Sequence, residues 1–344
     1  MRSFQPALKS LFAKSSAMLP IFTLTIALLA SGCGGSSGSS SGSGGSTPPS
    51  TANEWTWVSG SNTGNALGIS GTLGVASASN VPGARMDSVS WTDRVGNLWL
   101  FGGSGFFPTG TSFDLDDLWE FNPTAKTWTW VSGSVNSGNA HGVYGTMGTA
   151  AASVFPGART GSVSWTDGSG NLWLFGGTGY DSTGTGGLLN DLWEFNPTAK
   201  TWTWVSGSSA VNTLGVYGTM GTASANNVPG SRSNSLSWTD GSGNLWLFGG
   251  LGYGSSGAWD YLGDLWEFNP TAKTWTWVSG SNTTDALPVY GTMGTAAASN
   301  VPGARMGSVS WADSMGNLWL FGGSGYDSTG TGGDDLNDLW RYQP

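Results

Sequence analysis

The sequence predicts an all-β protein: four copies of one four-stranded antiparallel sheet behind an export segment and a tether. Three observations predict it. The motif Trp-Leu-Phe-Gly-Gly begins at Trp99, Trp173, Trp246 and Trp319, spaced by 74, 73 and 73 residues. Each copy carries short runs rich in Trp, Val, Leu and Phe, separated by turns containing Gly or Pro. Beyond the N-terminal segment, no run shows the apolar period of an amphipathic helix.

Composition narrows the functional classes. The 344 residues include 58 Gly and 21 Trp, with 12 basic and 21 acidic side chains, one His and one Cys. The glycines follow no three-residue period, which excludes collagen. The lone Cys33 cannot bridge within the chain. An acidic balance without basic clusters argues against nucleic-acid binding. One histidine and one thiol leave metal, thiol and Ser-His chemistry without most of their parts.

Residues 1–32 read as an export signal. Arg2, Lys9 and Lys14 precede an apolar run of about 13 residues from Met18 to Ala30, followed by small residues and Cys33. The run is short for a membrane span. Leu28-Leu-Ala-Ser-Gly-Cys33 resembles the lipobox of bacterial lipoproteins, although Ala30 stands where that family prefers Leu. The resemblance implies that Cys33 becomes the lipidated first residue. Gly34 after it implies the outer membrane of a diderm envelope. The alternative is an ordinary signal peptide and an extracellular protein. Residues 33–52 form a Gly/Ser tether ending in Pro48-Pro49, with a coil reach of about 25 Å.

Residues 53–344 hold the repeats. In the second copy, Ser162-Val-Ser-Trp-Thr166 alternates small polar with apolar residues, as a strand beside a narrow channel does. Leu172-Trp-Leu-Phe175 is apolar on both faces and is expected to be buried. Leu192-Trp-Glu-Phe195 begins to show polarity, and Trp202-Thr-Trp-Val205 suits an outer strand. Asp167-Gly-Ser-Gly170 and Asn196-Pro-Thr-Ala199 are turn sequences joining strands one to two and three to four. The second-to-third and fourth-to-first connections are expected to be long loops on the opposite face, where binding residues concentrate.

Strand-Gly-Gly, then Asp-Leu-Trp-Glu-Phe-Asn-Pro, then a Trp-bearing strand resembles the kelch repeat. That family, which includes galactose oxidase, builds one four-stranded blade of a β-propeller per repeat. The repeat here departs in length, exceeding the kelch unit of about 50 residues by about 23. The resemblance implies four blades, with Trp55–Val58 pairing against Leu339–Tyr342 to complete the last one. The alternative is a partial ring completed by a second chain; a monomer is the expectation.

Candidate site residues follow from what varies between copies. Twenty of the 21 tryptophans sit at repeated positions and are expected in the core and between blades. Trp259 lies outside that framework, beside Asp260 and Tyr261, and can stack on a sugar or anchor a protein partner. Phe106 and Phe107 vary at the corresponding place in the first copy. Arg85, Arg159, Arg232 and Arg305 precede strand one of each copy, while Asp117, Asp191, Asp264 and Asp338 open strand three. A structural Arg–Asp pair is the favoured reading; a ring of arginines collecting an anion is the other. Asp181, Asp327, Asp334 and Asp335 lie in glycine-rich stretches that can offer oxygens to calcium, but the spacing matches no EF-hand and solvated loops are expected. His141 occurs in one copy only.

The copper site of galactose oxidase uses two His, two Tyr and a Tyr–Cys cross-link, whereas this chain has one His and its single Cys lies at the processing point, so no cofactor is expected beyond the calcium alternative. The sequence therefore points to an exported binding or adhesion module for a glycan or protein. A mutarotase-like sugar-processing enzyme on the same scaffold and a structural surface protein are the alternatives.

Overall fold

The computed structural model describes residues 53–106, 112–135 and 137–344. Among them every regular element is a strand, and the sheets lie in one compact unit, Thr56–Pro344. The second sheet shows the plan. Val163–Thr166, Leu172–Tyr180, Gly186–Asn196 and Thr201–Ser206 pair antiparallel in chain order, and the short Arg159–Thr160 pairs the far end of Leu172–Tyr180. The third repeats it with Leu236–Thr239, Leu245–Tyr253, Trp259–Asn269, Thr274–Ser279 and Arg232–Ser233.

The first sheet, Val89–Thr92, Leu98–Phe101, Leu118–Asn122 and Thr127–Ser132, stops at the double glycine. Its hairpin tip forms a separate sheet of Arg85–Met86, Ser104–Phe106 and Ser112–Asp114. The fourth sheet has Val309–Ala312, Leu318–Gly325, Asp334–Tyr342 and Arg305–Met306. This all-β set of antiparallel sheets is consistent with a propeller-like fold.

Local chemistry explains the strand boundaries. Asp167 Oδ1 accepts the amides of Ser169 and Asn171 at 2.8 and 2.9 Å, and Oδ2 accepts the Trp173 indole at 2.9 Å, which closes the first hairpin. Asn196 Oδ1 accepts the amides of Thr198 and Ala199 and sets the other turn. The double glycine shifts the ladder register between Phe175 and Gly177. Both residues have positive φ, +63° at Gly176 and +100° at Gly177. A Cβ at Gly176 would lie 2.8 Å from the Arg232 carbonyl of the next sheet, and one at Gly177 would lie 2.6 Å from the Thr160 carbonyl.

That bulge changes one expectation. The second-to-third connection in the second and third sheets is mostly strand rather than long loop, because the ladder resumes beyond the glycines and leaves only residues 181–185 or 254–258 as the tip.

The core lies between successive sheets. Trp91, Trp99 and Phe101 of the first pack on Leu172, Leu174, Trp193, Phe195 and Trp202 of the second, and the pattern recurs at the next two interfaces. Each interface also carries the same indole bond. Trp91, Trp165 and Trp238 donate to the carbonyls of Trp173, Trp246 and Trp319 at 3.0, 3.0 and 3.1 Å.

The expected seam between the Trp55–Val58 segment and the last strand is not formed. Residues 56–58 belong to no strand, Trp57 is 67% exposed, and Asp334–Tyr342 pairs only with Leu318–Gly325 among the described residues. The inner strands show why. Ser164, Ser237 and Ser310 each donate at 3.4 Å to the equivalent serine carbonyl of the preceding sheet, but no such bond joins Ser90 to the fourth sheet among the described residues.

Candidate functional site

The arginines are structural. Arg159 is fully buried, donates to both Asp191 oxygens at 2.7 Å, and donates two further bonds to the carbonyls of Gly157 and Gly176. Arg85–Asp117, Arg232–Asp264 and Arg305–Asp338 repeat the fork. Burial opposes ionisation of Asp264, but the Arg232 charge and the hydrogen bonds of Arg232, Tyr217 and Trp266 hold its pKa below the ordinary carboxylate value. With their side chains out of solvent and forked onto the aspartates, these guanidinium groups are not presented to an anion, and the pairing reading accounts for them.

The hairpin tips hold the other candidates. Trp259 opens strand Trp259–Asn269 opposite Tyr253 and is 46% exposed. Two residues on, Tyr261 projects from the same face of the strand. Its hydroxyl lies 3.2 Å from Ser324 Oγ of the fourth sheet, and its ring meets Tyr326 edge-on at 6.0 Å. Asp260 Oδ1 accepts the Tyr261 amide. Burial and the Asp260 charge raise the pKa of Asp285, whose amide bonds the Tyr261 carbonyl. Two phenols and two carboxylates thus meet at the junction of the third and fourth sheets, with the exposed Trp259 preceding them on the strand. Phe106 is half-buried in the tip of the first sheet, with no contact linking it to this cluster among the described residues. Phe107 and Cys33 lie outside the described residues.

Asp181 and Asp327 are occupied by their own turns. Asp181 Oδ1 accepts the amides of Thr183 and Thr185 and the Thr183 hydroxyl at 2.7–2.9 Å, and Asp327 repeats this with Thr329 and Thr331. Asp334 and Asp335 are exposed on the last strand. No cluster of three metal-binding side chains occurs among the described residues.

Two features were not singled out from the sequence as sites. The Ser-Trp-Thr triplets at 90–92, 164–166 and 237–239 line a cavity of about 270 Å³ along the inner strands, where the channel-facing alternation points. A second cleft of about 380 Å³ beside the first sheet is lined by Asp116, Trp130, His141 and Phe155. Asp116 is buried at its wall, and burial, reinforced by the Asp117 charge, raises its pKa to about 7 despite the bond from the Ser134 amide. Burial likewise lifts nearby Asp114 to about 6. The available signal was that Asp116 varies between copies, with Asn190, Gly263 and Asn337 at its counterparts.

No family model and no curated protein matches the chain. Among solved structures similar to it is that of YjhT, at 16% identity and a TM-score of 0.43, with 71% of this chain covered. The chain spans 60% of that protein's length.

Proposed function

We propose that this chain is an exported, kelch-type propeller module that binds a glycan, or a protein surface, through the hairpin tips of its third and fourth sheets. The observation that carries the reading is the exposed Trp259, next on its strand to the cluster of Asp260, Tyr261 and Tyr326. Aromatic faces stack on the apolar faces of sugars, and neighbouring carboxylates and hydroxyls take the ring hydroxyls. A glycan array tests it: specific binding should fall at least tenfold in Trp259→Ala while the melting temperature stays unchanged. An unaltered binding profile in that variant removes the site.

A second reading is favoured by Asp116, a carboxyl poised near neutrality in a cleft with His141, as an acid–base group requires. Turnover of free sugars by the parent chain and its loss in Asp116→Asn would select that reading.

The address follows from the N-terminal sequence. Lipidation of Cys33 would hold the module at the cell envelope on its Gly/Ser tether. In Cys33→Ser the protein should move from the membrane fraction to the soluble fraction, and unchanged membrane association would refute the anchor.

A further inference from the structure

We propose that the fourth sheet carries an unpaired strand slot which a second copy of this chain fills with residues 55–59, seating its first sheet on the exposed face of the fourth. The inference rests on the geometry of the sheets and not on the binding reading above.

The slot has two walls. Its inner wall is the edge of Asp334–Tyr342 that has no partner strand among the described residues. Its outer wall is the connection 286–304, and the other three repeats show what that connection does. Gly74, Gly148 and Gly221 each donate a backbone amide at 2.8 Å to the second tryptophan carbonyl of an outer strand, at Trp130, Trp204 and Trp277. Ser77, Ala151 and Ser224 donate to the first, at Trp128, Trp202 and Trp275. Gly294 and Ala297 hold these positions in the fourth repeat, and their amides have no acceptor among the described residues. Asn80 and Asn227 each reach two carbonyls, one of them the first tryptophan's, whereas Asn300 reaches only Thr295. Tyr290 is 42% exposed where Tyr144 is 6%, because Tyr144 has Trp204 against its ring at 5.1 Å.

The occupant is written in the sequence. Trp55-Thr-Trp-Val-Ser59 is identical to the outer strands at 128–132, 202–206 and 275–279. Trp57 already bonds the Ser59 carbonyl at 2.9 Å, as Trp130 bonds Ser132 and Trp204 bonds Ser206. Gly60 follows at φ +91°, near the +84° of Gly207. The interval from Ser59 to Ala66 equals that from Ser279 to Ala286, so the segment is spaced to complete the sheet that precedes the first. Among the described residues of one chain no sheet stands there, and the inner strands connect only first to second, second to third and third to fourth.

The exposed face of the fourth sheet matches the same partner. Val309, Trp311, Phe321 and Leu339 are 41–58% exposed, while Val163, Trp165, Phe175 and Leu192 at the same positions are buried under the next sheet. The incoming first sheet brings Leu98, 44% exposed, and the Trp99 carbonyl, whose counterparts at Trp173, Trp246 and Trp319 each accept an indole. One contact differs. Lys200 and Lys273 bind Glu120 and Glu194 across the internal interfaces, but Arg341 replaces the glutamate here and faces Lys126 of the incoming copy. Added salt should therefore strengthen association, and Arg341→Glu should tighten it about tenfold. A head-to-tail contact of this kind closes into a ring or extends into a filament.

The register that sets Thr129 opposite Glu120 sets Thr56 opposite Arg341. In full-length chains carrying Cys33→Ser, Thr56→Cys in one copy and Arg341→Cys in another should give a disulfide-linked pair with oxidised glutathione. The yield should be at least tenfold above that of either variant alone. Both positions are exposed, so neither change threatens folding. If the mixture does not cross-link while a chain carrying both cysteines closes on itself, the segment docks in its own chain and the proposal fails. It fails equally if the parent chain keeps a monomeric mass up to 100 μM (roughly the range where a millimolar-to-micromolar contact shows) and neither pairing cross-links.

Discussion

Arg159 holds Asp191 through two hydrogen bonds of 2.7 Å, and the Tyr144 hydroxyl donates a third at 2.7 Å to the same carboxylate. The fork joins the short strand before the inner strand to the third strand of the same sheet. The tyrosine ties in the connection that wraps the sheet's outer edge. Three stretches of chain thus meet on one buried charge.

Removing the arginine strands that charge. Arg159→Met should destabilise the chain by about 3–5 kcal/mol in denaturant unfolding. Tyr144→Phe, which leaves the fork intact, should cost about 2 kcal/mol. A loss below about 1 kcal/mol in Arg159→Met would mean that the pair contributes nothing net.

Asp116 predicts a pH dependence. Its folded pKa, about 7, stands above the ordinary 3.8, so the folded state holds the proton more tightly than the unfolded chain does. The stabilising contribution is full below about pH 4 and is lost as pH rises through about 7. Asn190, at the same position in the second repeat, accepts the Ser208 amide as Asp116 accepts that of Ser134, so Asp116→Asn keeps the bond without the charge. The variant should match the parent near pH 4 and exceed it in stability at pH 8. Parallel stability curves across that range would refute the shift.

The double glycine predicts a backbone penalty. At Gly177 the φ of +100° and the nearby Thr160 carbonyl both oppose a side chain. Gly177→Ala should cost about 2–3 kcal/mol, read as a lower melting temperature with the sheet spectrum retained. An unchanged melting temperature would mean that the bulge relaxes freely.

Much of the fold was legible because it repeats. One period located the strands, the turn sequences and the Arg–Asp partners, since antiparallel alternation returns both residues to the same end of a sheet. The extended hairpins were harder to see. Gly-Gly reads as a break, and only its positive φ values and shifted register show that the ladder continues past it. The missing seam was hidden for a different reason. Trp55–Ser59 states which strand it resembles, but the rotation from sheet to sheet decides whose edge it can reach. Asp116 escaped notice because carboxylate beside carboxylate is common in turns, and only burial moves it toward neutrality. The tip cluster was half legible: Trp259, Asp260 and Tyr261 stand out as unrepeated residues, whereas Ser324 and Tyr326 join them only through the neighbouring sheet.

The indole that crosses from each sheet to a carbonyl of the next makes the three joints interchangeable. A whole unit of 73 residues excised between matching positions would bring together two surfaces already suited to each other, whereas losing a single strand would leave a joint half made. Recombination between the near-identical stretches can therefore lengthen or shorten this scaffold in whole steps, and each product inherits contacts that have already been selected.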